Sequence, residues 1–171
     1  MSGGCPVRPE MTDHAPVFDF YPRGTPLLVT DQIESAMRAA LDAGRPAGGA
    51  LDAMEDEQVR LLRTDPAFRD DLRAAYREAG VTLVSATMGS LDPTTSYATG
   101  VREDLTRWQA RIDAVPWLRK ATSPAAAREI VSDGDVGVVF TTQNLGLAIE
   151  GDVDAVETLY NAGIRIGQLT Y

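Results

Sequence analysis

The sequence predicts an α/β protein built on a parallel sheet, and three observations carry that class. Short apolar, β-branched runs recur at Val81–Met88, Val136–Thr142 and Ile164–Tyr171, the composition of strands buried on both faces. Between them, apolar residues return every three or four positions, the period of an amphipathic helix. Glycines follow several of these helical stretches, at Gly44, Gly80, Gly134 and Gly163, where a helix end favours a residue tolerant of positive φ. Strand, crossover helix and parallel strand make a right-handed unit. In such units the loops at the carboxyl ends of the strands hold the chemistry.

Residues 1–25 carry Pro6, Pro9, Pro16 and Pro22 among polar residues. They read as an irregular lead-in with a short candidate strand at Val17–Phe20. Pro26–Thr30 is the candidate first strand of the sheet. Asp31 suits the N-cap of a helix over Gln32–Ala43, since its carboxylate can accept backbone N–H bonds. Arg45–Ala50 reads as a linker, opening a helical insertion around residues 45–70. Leu51–Leu62 is its first helix. Thr64-Asp65-Pro66 starts the next, with proline in its first turn and Phe68, Leu72, Ala75 and Tyr76 as the inward stripe. A helix over Ser96–Ala114 follows, with Val101, Leu105, Trp108 and Ile112 in phase, and Trp117 and Leu118 pack beside it. Ser123-Pro124 opens a helix to Ser132. In the last helix, Asp152–Ala162, Val153, Val156, Leu159 and Tyr160 fall on the apolar phase.

About four strands result, a natural half of an eight-stranded (β/α)8 barrel, whose full form takes roughly 250 residues against 171 in this chain. The expected organisation is a lead-in over residues 1–25 and a partial TIM-type barrel over 26–171. A half ring leaves parallel edges unpaired, which is an aggregation hazard. The sequence therefore points to a missing carboxyl-terminal half, a homodimer that closes the ring, or a small open sheet.

The formal net charge of −9 argues against binding nucleic acid through phosphates, which needs basic surface. It disfavours anionic membranes as well. No apolar run approaches the roughly 20 residues of a spanning helix, and the first residues lack the apolar core of a secretory signal. Cys5, the single cysteine, forms no internal disulfide. The expected compartment is the cytoplasm.

From Trp108 to Tyr171 the residues resemble the membrane dipeptidase (renal dipeptidase) family of zinc-dependent peptidases. The matching phrases are Ser-Pro-Ala-Ala-Ala-Arg-Glu-Ile from Ser123, Val-Gly-Val-Val-Phe-Thr-Thr-Gln-Asn from Val136, and Val-Glu-Thr-Leu-Tyr-Asn-Ala-Gly-Ile-Arg-Ile-Gly-Gln-Leu-Thr-Tyr from Val156. The last is similar to the family's Leu-x-x-Phe/Tyr-x-x-Gly-Val-Arg-x-x-x-Leu-Thr-His/Tyr. Val81–Met88 also fits a family strand. The resemblance implies a barrel with two zinc ions at the carboxyl ends of its strands, and hydrolysis of dipeptides by metal-activated water. It covers Gly80 to Tyr171 well and Pro26 to Gly44 loosely.

The resemblance also assigns site positions. The family's first strand ends in a metal-binding His-x-Asp; here Thr30-Asp31-Gln32 stands near that place, which makes Asp31 a candidate ligand. The family's bridging glutamate aligns with Gln143, a second candidate ligand and a weaker one, because a neutral amide leaves more metal charge uncompensated. Gln143, Asn144 and Tyr171 are the candidate pocket lining. Glu150, in an Ile-Glu-Gly phrase like the family's bridging motif, and His14, the single histidine, are lesser candidates. Met88-Gly89-Ser90 is a strand-end loop within reach of a substrate. The expected function is that of a truncated metallo-dipeptidase-like hydrolase, inactive by itself, with zinc as the implied cofactor. The alternative is a non-catalytic α/β domain that binds a small ligand or a partner and has lost the metal.

Overall fold

A computed structural model describes the backbone of residues 17–19 and the whole of residues 28–170. Elements follow the order β1 (Val17–Asp19), α1 (Asp31–Asp42), α2 (Ala47–Thr64), α3 (Pro66–Glu78), β2 (Val81–Met88), α4 (Tyr97–Ala114), β3 (Leu118–Lys120), α5 (Pro124–Ser132), β4 (Val136–Thr142), α6 (Leu145–Ala148), α7 (Ala155–Ala162) and β5 (Ile164–Gly167). All pairings are parallel. β1 pairs with β2 and β2 with β4, in a register that sets Leu83 beside Gly137 and Met88 beside Thr142. The other edge of β4 holds two strands end to end: β3 along Val136–Val138 and β5 along Phe140–Thr142. Four strands, β1, β2, β4 and β5, thus neighbour one another in chain order with helices between them. That is the succession of a partial (β/α) barrel.

The sheet begins at the short strand suggested within the lead-in, ahead of the run expected to open it. Its first strand is Val17–Asp19, inside the expected lead-in. Residues 28–30 of the expected first strand are irregular, and residues 26 and 27 lie outside the described residues. Thr30 is extended (φ −98°, ψ 165°), but it serves as the N-cap of α1, its hydroxyl accepting from the Ile33 amide. Asp31 is then the first residue of the helix and not its cap.

The expected linker is also helical, for α2 starts at Ala47 and includes Gly48 and Gly49. The reason is packing. A Cβ on Gly48 would stand 2.3 Å from the Leu91 carbonyl carbon, so glycine, a poor helix former, is what lets α2 approach the 91–92 loop. The three-residue β3 and the one-turn α6 were not legible. Both are too short to show a period.

The core lies where α3 and α4 cover the sheet. Trp108 of α4 meets Phe140 of β4 at 6.4 Å between ring centres, and Tyr76 of α3 meets Trp117 edge-on at 5.8 Å. Phe68, Leu72 and Tyr76 are buried as their spacing requires, and so are Val101 and Trp108. The last helix departs from expectation: Leu159 is buried, but Val153 is 74% exposed and Tyr160 57%. The helix starts at Ala155 and not at Asp152, which leaves Val153 in the preceding turn, and the exposed Tyr160 ring is covered by the Arg165 guanidinium of β5, stacked 3.9 Å from its centre. On the far side of α4 a polar seam joins it to α2. Arg107 Nη1 reaches Asp104 at 2.8 Å and Asp52 at 3.5 Å, and its Nε donates to Asp56 at 2.8 Å. Arg111 stacks on Trp108 at 4.6 Å and faces Glu55 at 3.5 Å.

Candidate functional site

Residues 89–95, 143–144 and 168–170 follow β2, β4 and β5 and form one rim at the carboxyl ends of these strands. In parallel α/β sheets that is where ligands bind. The centre of the rim is the turn Gln143–Asn144, half-buried directly after β4. Two neighbours fix it. From the β5 side, the Gln168 amide donates to the Thr142 carbonyl (2.9 Å), and the Leu145 amide donates to the Gln168 carbonyl (2.8 Å). From the β2 side comes Tyr97, the first residue of α4.

The Tyr97 hydroxyl donates to the Met88 carbonyl at 3.1 Å and accepts from the Asn144 amide at 3.3 Å. It also lies 3.2 Å from Thr142 Oγ1. A single phenol therefore ties the ends of β2 and β4 together. Two local features bring it there. Ser96 caps α4, its hydroxyl accepting from the Thr99 amide. Gly89, at φ +152°, leaves the space in which the tyrosine ring rests: a Cβ there would stand 2.5 Å from the ring.

Beneath the rim, side chains alternate along the strands. Ser85, Thr87 and Thr141 share one face as a buried hydroxyl group, with Thr141 Oγ1 at 3.0 Å from Thr87 and 3.3 Å from Ser85. The loop after β2 is held from two sides. Asp104 of α4 accepts from the Gly89 amide at 2.9 Å. Asp92 accepts from the Thr94 amide at 2.8 Å and the Thr94 hydroxyl at 2.6 Å.

These bonds to Thr94, aided by the positive charge of Arg45 and opposed by burial, hold the Asp92 carboxyl below its ordinary value of 3.8. A carboxyl depressed on folding contributes stability above its unfolded value and loses it as pH falls through the folded one. We expect the wild type to lose stability, between neutral pH and a pH below the ordinary carboxyl value of 3.8, by a component that Asp92→Asn lacks. Urea midpoints of both proteins at those two pH values measure it, and equal acid sensitivity would contradict the assignment.

The structure brings Gln143, Asn144 and the Met88–Ser90 loop to one rim. Thr170, exposed, sits just beyond β5, its carbonyl bonded to Gln168 Nε2. Tyr171 and His14 lie outside the described residues. Asp31 is exposed on the first turn of α1, and Glu150 is exposed in a turn after α6 with φ +51°. Tyr97 and Asp104 went unread in the sequence. Asp104 did leave a signal: with Arg111 it falls on the apolar phase of Val101 and Trp108, where a charge needs a buried partner.

Two solved structures share this architecture. Dipeptidase AC, a metallo peptidase, matches over 91% of this chain and 43% of its own at a TM-score of 0.52 and 16% identity. An amidohydrolase from Pseudomonas aeruginosa matches over 60% of this chain and 30% of its own at a TM-score of 0.50 and 23% identity. At such identities the likeness shows the fold: an α/β parallel sheet laid out as part of a barrel. The chain spans less than half the length of either protein. No protein-family model matches. A stretch of 53 residues is 42% identical to the large ribosomal subunit protein uL16 of Thermoplasma acidophilum, covering 31% of this chain and 29% of that protein.

The donors at the rim do not fit a zinc site. Zinc takes thiolate, imidazole and carboxylate ligands, whereas the turn at this rim carries the amide residues Gln143 and Asn144, and the hydroxyls of Tyr97 and Thr142 beside it are engaged with each other and with the backbone. The carboxylates of the loop after β2 and of α4 behind it, Asp92 and Asp104, are committed to Thr94 and to Gly89 and Arg107. Among the described residues, no group of three or more His, Cys, Asp or Glu side chains is placed to hold a metal ion. Nor is any helix among them long and apolar enough to cross a membrane.

Proposed function

We propose that this chain forms the substrate-facing part of a dipeptidase-like hydrolase fold, binding dipeptides at the Gln143–Asn144 rim without hydrolysing them by itself. One observation carries the reading: the turn after β4, in a sheet laid out like that of dipeptidase AC, places two amide residues, Gln143 and Asn144, between the ends of β2 and β5. Side-chain amides offer both donors and acceptors, the complement of a peptide bond and a terminal carboxylate. The carboxylate and imidazole ligands that metal-assisted hydrolysis needs would come from outside the described residues. They would arrive on strands added at the edge of β5, supplied by a further barrel segment or by a second copy of the chain. The reading includes a reducing, cytoplasmic setting, in keeping with a single cysteine.

The mismatch between the rim and a zinc site favours a second reading, a non-catalytic domain that keeps the pocket and binds its ligand without metal. Calorimetric titration with alanyl-alanine, paired with an assay for released alanine with and without added zinc, tests what both readings share. Binding that is indifferent to zinc, with no alanine released, is expected. Zinc-dependent release of alanine would overturn the claim that the chain is inactive alone. Absence of any binding would remove the dipeptide reading itself.

A further inference from the structure

We infer that Tyr97 is the positioning residue of this rim: its hydroxyl sets the conformation of the Gln143–Asn144 turn, and through it the affinity for an amide-bearing ligand. The ligand half of this inference rests on the dipeptide reading above; the positioning half does not. Three observations meet at one oxygen. Tyr97 Oη accepts from the Asn144 amide, donates to the Met88 carbonyl and touches Thr142 Oγ1. The Asn144 amide is thus held by a side chain from another element, since the turn supplies it no helix or sheet partner of its own. Strand β4 ends at Thr142, and α6 opens only at Leu145. The bare Cα of Gly89 lets the ring reach this point. Both flanking strand ends are fixed by backbone pairing, so the tyrosine spans two rigid supports and holds the one turn between them.

Tyr97→Phe removes the oxygen and keeps the ring. Amide hydrogen exchange in the full chain should then quicken about tenfold at Asn144, as loss of one hydrogen bond predicts. The amides of Val138–Thr141 should be unchanged and the melting temperature nearly so. Alanyl-alanine should bind about tenfold more weakly. Thr142→Val, which spares the Asn144 bond, should leave exchange at Asn144 as it was. Gly89→Ala, whose methyl displaces the ring, should reproduce the Tyr97→Phe pattern at Asn144. Unchanged exchange at Asn144 in Tyr97→Phe overturns the inference. So does faster exchange with undiminished dipeptide affinity, for the tyrosine would then hold a turn that does not serve the site. A wild type that binds no dipeptide defeats the proposed function, and exchange at Asn144 still decides the positioning role.

Discussion

Replacing Arg107 by methionine should destabilise the protein by about 3–5 kcal/mol, the range for removing one partner from a buried ion pair. Arg107 keeps only 14% of its side chain exposed, and it faces Asp104, Asp52, Asp56 and Glu103. Asp52 and Asp104 are themselves buried at 8% and 4%. Methionine fills much of the volume of the arginine stem, so packing is largely kept and the loss reads the charges. Burial works against the Arg107 charge, but the hydrogen bond to Asp56 and the charges of Asp56, Asp52 and Asp104 outweigh it and raise the guanidinium above its ordinary value. A group raised on folding gives its full contribution below the unfolded value. The effect of the substitution should therefore not vary through titration of Arg107 anywhere from neutral pH down into acid. Adding Asp52→Asn and Asp56→Asn to Arg107→Met should restore part of the loss, because two of the stranded charges go with the arginine. Asp104 stays in this design because it also holds the Gly89 amide. Urea unfolding of the wild type, Arg107→Met, the Asp52→Asn/Asp56→Asn variant and the triple variant gives the cycle. A loss below about 1 kcal/mol in Arg107→Met, the level of an exposed pair, would show that the seam between α2 and α4 is solvated and weak.

That seam marks the limit of what the sequence disclosed. Long periodic stretches were legible because they obey one local rule. Val81–Met88 and Val136–Thr142 read as buried strands and are strands to the residue. The cap at Ser123 and the left-handed Gly163 (φ 114°) stand where side-chain chemistry placed them. Much of what failed needed a distant partner. Gly48 and Gly49 look like a linker until the 91–92 loop lies against them. At residues 28–30 the miss is local, since Thr30 is spent on capping α1 through the amide three residues on. The site divides in the same way. Gln143 and Asn144 were readable as a strand end. Tyr97 was not, because its role arises from the register of β2 beside β4, which sets Met88 next to Thr142 and gives one hydroxyl two strand ends to bind. Val156 and Tyr160 kept a helical phase but stay exposed, Tyr160 beneath the Arg165 guanidinium and not in the core, since a period names a face and not what lies on it.

The second large effect is expected at the middle of β4. Phe140 is fully buried and touches every layer around it. It meets Trp108 of α4, lies 4.6 Å beneath Lys120 Nζ and stands beside Ile164 of β5 in the sheet. A Cβ on Gly163 would already come within 3.3 Å of its ring. Phe140→Ala should cost about 3–5 kcal/mol in urea unfolding, since the transfer of the ring is lost and a cavity replaces it. Phe140→Leu, which keeps most of the volume, should cost less than half as much. The difference between the two isolates the cavity from the aromatic contact, worth about 0.5–1.5 kcal/mol. The damage should also be directional. β5 is four residues long and pairs with β4 from Phe140 onward, so loss of the ring loosens the side of the sheet that carries Gln168 against the Gln143–Asn144 turn. Amide exchange along Ile164–Gly167 in Phe140→Ala should quicken more than along Val81–Met88. The reverse order would mean that β5 is held by α7 and Arg165, whose Nε donates to the Thr122 carbonyl at 2.7 Å, and not by the core beneath it.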